Sequence, residues 1–292
     1  VEDPIPIVPP GASIDRMAYQ VGDEADSVAA LTKKGKLWLT KISKRDAFSL
    51  SDMPAVSQVE ITNTTETVLR LLLLDKEGEN LVASTQDGQL LHWKILDFQN
   101  PQLVSKKQIV QSGDSITALT FLIGDRTLVI GTQAGAVSTW MPQWVSEKSD
   151  GIEWIHANSF KSHKSSVVAI SPSQRDKGFI TGDREGNVFL HHSSSGQTLL
   201  ELQGTGSAIR DLRFAPKANG AVMVDEAKIV HSLGIDNAHP EITIETLFQP
   251  VLYEEHKSPK LIWQSSSGSD DFEPKFGMVP LIFGSLKGTI YA

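Results

Sequence analysis

From about Ser13 to Leu247 the chain alternates short apolar runs with turn residues, and within the runs apolar and polar positions alternate one by one. That period is the period of a strand, and no amphipathic helical pattern of convincing length interrupts it before residue 247. The recurring unit is an apolar strand, a turn, a second strand, a four-residue turn ending in glycine, and a third strand. Four copies are clear: VAALTKKGKLWLTKI (28–42), LVASTQDGQLLHWKI (81–95), LVIGTQAGAVSTW (128–140) and FITGDREGNVFLHH (179–192). A fifth, AVMVDEAKIVHSL (221–233), keeps the alternation but carries Ala227 where glycine is expected. The first strand of the unit recurs as TVLRLLLL (67–74), SITALTFL (115–122), SVVAISPS (166–173) and AIRDLRFAP (208–216).

The turn glycines Gly35, Gly88, Gly135 and Gly186 are separated by 53, 47 and 51 residues, and Ala227 follows after 41. A tight hairpin places one residue at positive φ, which is costly for any residue with a Cβ, so glycine recurs there. Repeats of this length have the period of a propeller blade. A blade cannot bury both faces of its small sheet alone, so blades must stack. The expected fold is all-β: a WD-like β-propeller over residues 13–247, of five to seven blades, the first completed by residues 48–62 or by the C-terminal section. Trp38, Trp93 and Trp140 follow their turns closely and are expected to pack between blades. The stretch SHKSSVVAISPS, with His163 before an apolar strand and Ser171-Pro172 after it, resembles the opening of a WD-repeat blade, although the usual Trp-Asp ending is missing.

Composition narrows the function classes. The formal net charge of -8 argues against a nucleic-acid partner, which requires clustered cations along a phosphate backbone. The longest basic cluster, Lys33, Lys34, Lys36, Lys41, Lys44 and Arg45, is expected to guard a strand edge and its hairpin turn. The chain has no cysteine, which excludes disulfides, thiolate metal sites and thiol catalysis. The proline-rich start, residues 1–12, has the composition of an extended connector and lacks the basic and apolar regions of a signal peptide.

Catalytic and metal signals are weak. No Gly-x-Ser-x-Gly elbow is present, and Ser193, Ser194 and Ser195 before Gly196 have the sequence of a plain turn. His191 and His192 fall on opposite faces of a strand and cannot share one metal. Asp270, Asp271 and Glu273 offer too few alternating oxygen ligands for a calcium loop and suit a solvated linker. No catalytic residue, cofactor or metal is therefore expected. A propeller hydrolase or lyase, with its site in a central channel, and a free envelope scaffold are the competing classes.

After residue 247 the repeat stops. Residues 248–277 are expected to link or close the propeller, with the Ser-Gly-Asp segment as a hinge. Residues 278–292 (MVPLIFGSLKGTIYA), apolar or small apart from Lys287, have the composition of the start of a membrane helix, truncated below the roughly twenty residues a span requires. Tyr253 and Trp263 are candidates either for headgroup-level anchors or for packing. The words Tyr253-Glu254, Trp263-Gln264-Ser265, Glu273-Pro274-Lys275 and Pro280-Leu281-Ile282-Phe283-Gly284-Ser285-Leu286-Lys287 resemble the permease subunit of the bacterial phosphate ABC transporter, in the long form that carries a large extracytoplasmic insert. The likeness implies a propeller held by flanking membrane helices on the periplasmic side of the inner membrane. It implies as partners a phosphate-binding protein or another envelope component, with a second permease subunit and an ATPase subunit in the full transporter.

Overall fold

The structure, a computed structural model, describes residues 5–44, 55–62, 68–146, 149–204, 206–236, 239–269 and 271–291, apart from the side chains of 144–146, 149 and 150. The repeat is present as five antiparallel sheets. Sheet one holds β1 (Ile14–Val21), β2 (Ala25–Thr32), β3 (Leu37–Ser43) and β4 (Val56–Ile61); sheet two holds β5 (Leu69–Leu74), β6 (Asn80–Thr85), β7 (Gln89–Lys94) and β8 (Gln102–Gln108). Sheet three holds β9 (Ile116–Phe121), β10 (Leu128–Thr132), β11 (Val137–Ser146) and β12 (Ser149–Ser159); sheet four holds β13 (Val167–Pro172), β14 (Gly178–Asp183), β15 (Val188–His192) and β16 (Gln197–Leu202). Among the described residues sheet five has three strands: β17 (Ile209–Phe214), β18 (Gly220–Asp225) and β19 (Val230–Gly234). β4 completes the first sheet, as the sequence left open; Arg45 and residues 48–54 of that stretch lie outside the described residues.

The glycine turn joins the second and third strand of each sheet. The fourth residue after Thr32, Thr85, Thr132 or Asp183 opens the turn back, with Gly35, Gly88, Gly135 and Gly186 at φ between 79° and 89°. In sheet five the left-handed residue is Lys228, at φ 65°, and not the neighbouring Ala227 to which the sequence pattern assigned it. The turn from Asp225 keeps its length and tolerates a lysine in the strained position. A second regularity is invisible in the sequence. In sheets one, two, four and five the first strand carries a bulge after its first residue, between Ile14 and Arg16, Leu69 and Leu71, Val167 and Ala169, and Ile209 and Asp211.

The chain divides into two compact units, one over residues 1–116 with 144–153 and the other over 117–143 with 154–292. In the first, Ala29, Leu31, Leu37, Leu39 and Ile61 of sheet one share a core with Leu69, Leu81, Ala83, Leu91 and Trp93 of sheet two. Trp93 is fully buried there, as expected of a tryptophan between blades, whereas Trp38 is only half-buried. The connector lies along sheet one: Thr40 Oγ1 donates to the Ile7 carbonyl (2.8 Å) and Gln58 Nε2 to the Pro6 carbonyl (2.7 Å). In the second unit sheets stack by a knob in a glycine socket. A Cβ on Gly131 of β10 would lie 2.5 Å from Val167 Cγ1, and one on Gly182 of β14 would lie 3.0 Å from Ile209 Cγ1. These two glycines are required by close approach, not by their φ.

The sheets end at Gly234, earlier than the expected boundary at 247. A short helix α1 (Ile244–Phe248) follows, started by a capping box in which Thr243 and Thr246 bond reciprocally. The two-residue strands β20 (Trp263–Gln264) and β21 (Lys275–Phe276) pair with each other, and α2 (Val279–Tyr291) closes the chain. The helix expected from the apolar tail is thus present, with thirteen residues and none buried. Among the described residues no helix is long and apolar enough to cross a membrane.

Candidate functional site

Two polar constellations lie in the second unit, each carried by the rims of sheets. The first is a buried relay across sheet four. His163 Nδ1 lies 3.1 Å from Asp183 Oδ2, His163 Nε2 lies 2.7 Å from Thr181 Oγ1, Thr181 Oγ1 lies 2.9 Å from His191 Nε2, and His191 Nδ1 lies 3.0 Å from Thr198 Oγ1. Hydrogen counting fixes the direction. Asp183 only accepts, so His163 donates from Nδ1 and accepts the Thr181 proton at Nε2; His191 then donates from Nε2 to Thr181 and accepts from Thr198. Both rings are neutral in this scheme. Burial agrees with it: desolvation lowers His163, against the raising effect of Asp183, and pushes His191 down to about 3. Asp183 also accepts from the Glu185 and Asn187 backbone, which pins the Gly186 turn. The relay therefore fixes a turn and a strand, and Phe189 stacks on His163 with ring centroids 4.0 Å apart.

The second constellation is made by residues 249–278, which form a strap across loops of sheets three and four. Lys177, between β13 and β14, donates from Nζ to Glu254 Oε2 and to the Ile123 carbonyl, both at 2.7 Å. Thr127 Oγ1 donates to Glu254 Oε1 (2.6 Å). Ser194, in the β15–β16 turn, donates to Glu273 Oε1 (2.5 Å), and the Glu254 backbone N–H donates to Glu273 Oε2 (2.8 Å). Lys177, Glu254, Glu273 and Ser194 are all buried. Burial, followed by the nearby Glu254 charge, raises the proton affinity of Glu273, while its two donors and Lys177 draw it back. Lys275 reaches the Glu273 carbonyl at 3.2 Å and lies 4.8 Å from the Phe272 ring centre and 5.6 Å from that of Tyr253. Further out, Arg126 pairs with Glu255 and Gln143 Nε2 donates to the His256 carbonyl (2.8 Å).

The structure thus brings together five of the residues that carry the sequence resemblance: Tyr253, Glu254, Glu273, Pro274 and Lys275. Tyr253 is 2% exposed, so it packs inside the strap and is no headgroup anchor. Glu273 is equally buried, which corrects its assignment to a solvated linker; Asp270 lies outside the described residues. Trp263 and Gln264 sit on exposed β20, where Trp263 meets Phe276 edge-on, and Ser265 is exposed beyond it. Pro280 and Gly284 lie on exposed α2, apart from this cluster. Lys177 and Thr127 escaped the sequence reading and Ser194 was read as part of a plain turn, since an isolated loop lysine and a serine turn carry no pattern of their own. Among the described residues no group of three potential metal ligands is assembled. What the cluster does chemically is hold one buried carboxylate against an ammonium and a second against a hydroxyl and a backbone N–H: it is a lock.

Over 72% of its length the chain superposes on 67% of the β-propeller domain of Cps50 (Swd1) from Myceliophteria thermophila, with 12% identity and a TM-score of 0.57. The fold is that of a WD40-like β-propeller. A chain of the mitotic checkpoint complex gives 10% identity, 75% of this chain, 64% of that one and a TM-score of 0.52. The computationally designed Ika8 protein gives 21%, 74%, 57% and 0.55. No family model and no curated protein matches the chain. At these identities the likeness is one of fold alone, and the propeller's function rests on its own residues.

Proposed function

We propose that this WD40-like propeller is an interaction and regulatory domain on the periplasmic side of a phosphate ABC transporter permease, attached to the inner membrane through α2 and without catalysis of its own. The observation that carries the proposal is the surface of α2. Its apolar side chains Leu281, Ile282, Phe283, Leu286 and Ile290 are 41–80% exposed, on several sides of the helix, and Lys287 is its one charge. A helix apolar all round suits lipid better than water. The strap supports the same reading, because it couples that helix to sheets three and four through a buried ion pair. The resemblance of Pro280 to Lys287 to the opening of a permease helix supplies the transporter class. Propeller rims present many loops on a rigid body, which suits a docking platform for the phosphate-binding protein.

The test is deletion of residues 1–250 in the full-length permease. Phosphate uptake and the affinity of the transporter for its binding protein are measured against the intact protein, and both are expected to fall. Unchanged values in both would overturn the proposal.

A further inference from the structure

Among the described residues sheet five has no fourth strand, so β19 forms its edge. Two hydrogen bonds bracket the β18–β19 ladder, Asp225 N–H to the Ile229 carbonyl (3.2 Å) and Ile235 N–H to the Asn219 carbonyl (3.0 Å). Backbone groups alternate in direction along a strand, so residues 231 and 233 bond inward to β18 while the N–H and C=O of Val230, Ser232 and Gly234 point outward. All three residues are exposed, and among the described residues no strand pairs with that edge.

The edge is also unguarded. The outer strands of the other sheets carry charge, as Glu60 on β4, Lys106 and Lys107 on β8, Glu153 on β12 and Glu201 on β16. Such residues discourage further pairing. β19 reads VHSLG, with no lysine, proline or bulge, and its single titratable residue, His231, is engaged with Asp225 at 3.3 Å.

The register of the sheet gives the edge a self-complementary surface. Val224 pairs with Val230, Val222 with Ser232 and Gly220 with Gly234, so these residues share one face, with Val222 46% and Val230 66% exposed. The opposite face, with Ala221, Met223 and Leu233, is packed on sheet four. We propose that the edge of β19 pairs antiparallel with β19 of a second copy of this chain, about a two-fold axis at Ser232. Ser232 then faces its own mate, and each Val230 lies opposite the partner's Gly234, beside which a Cβ would meet nothing within 4 Å. The two three-stranded sheets become one of six, and the valine rows of both copies join into one apolar strip. Edge pairing of five-residue strands covers less than a stable interface does, so the dimer is weak and forms at high concentration.

The chain has no cysteine, so Ser232→Cys introduces a single thiol. Directly opposed residues of an antiparallel pair lie about 5.5 Å apart at Cα, within disulfide reach. Mild oxidation of the full chain is expected to cross-link S232C at least tenfold faster than S258C, an exposed control, and V230K added to S232C should abolish that advantage. Sedimentation velocity of the cysteine-free chain should show concentration-dependent dimers that V230K removes and that F283S/I290S on α2 leaves in place. A monomer at all concentrations with equal cross-linking rates overturns the proposal. So does a dimer that depends on α2 alone, or an S232C thiol captured only by a different polypeptide.

Discussion

At the residue scale the buried histidines are the most consequential groups, because each is neutral in the fold and charged with little hindrance outside it. Desolvation first, then the Lys94 charge, pushes His92 down to about 4, and burial pushes His191 down to about 3. An unfolded histidine titrates near pH 6.5, so between that pH and the folded value the unfolded chain binds protons that the folded chain refuses. Their contribution to stability is complete above about pH 6.5 and is lost as pH falls. Glu273 acts in the opposite sense, since its raised proton affinity in the fold favours the folded state as pH falls. The histidines outnumber it, so the urea midpoint followed by tryptophan fluorescence should drop from pH 7 to pH 5. His191→Gln removes one such proton, and the drop should shrink by roughly 2 kcal/mol. His163 was legible as the opening of a repeat, and the opposite faces of His191 and His192 follow from strand geometry. The relay itself was not, because it joins residues up to 35 positions apart, from His163 to Thr198, through the pairing of β14, β15 and β16 and the register shift between Leu190 and His191 that sets His191 opposite Thr198.

At the element scale the hairpin turn is the unit that was best written in the sequence. Gly35, Gly88, Gly135 and Gly186 all occupy the left-handed position that their spacing announced. Gly135 is doubly constrained: its φ is 89°, and a Cβ would lie 2.4 Å from the His163 carbonyl oxygen. Gly135→Ala is therefore expected to cost more than about 1 kcal/mol in thermal or urea unfolding. Sheet five gives the converse test. Lys228 bears the left-handed strain that its neighbour Ala227 escapes. Lys228→Gly should stabilise by roughly 0.5–1 kcal/mol, while Ala227→Gly should not stabilise at all. The one-residue misplacement has a simple origin: without a glycine to mark it, a turn can be located only by counting from Asp225. The fourth strands were also poorly legible. QLVSKKQ and QTLLEL are half-exposed, so their alternation is diluted by charge.

At the scale of the whole molecule, composition and repeat length identified the all-β propeller, and the apolar tail, read as the start of a membrane helix, is a thirteen-residue helix. The path between the two could not be read, because the strap has no period and its anchors are scattered over residues 123–273. Its energetics depend on one cation. Lys177→Met would leave Glu254 buried without its cation, at a cost of about 3–5 kcal/mol, whereas Glu273→Gln keeps an acceptor for Ser194 but loses the one for Glu254 N–H and should cost about 1–3 kcal/mol. Limited proteolysis within residues 257–269 should accelerate more in the first variant than in the second.

The same lock decides how the molecule carries mechanical load. Tension on α2 passes along Met278 and β21 to Glu273, which grips Ser194, and to Glu254, which grips Lys177. A pull on the helix is therefore shared between the three side-chain hydrogen bonds that Thr127, Lys177 and Ser194 make to the strap and the bond from Met278 N–H to the Leu247 carbonyl of α1 (2.8 Å), so the lock and α1 must yield together before the helix comes free.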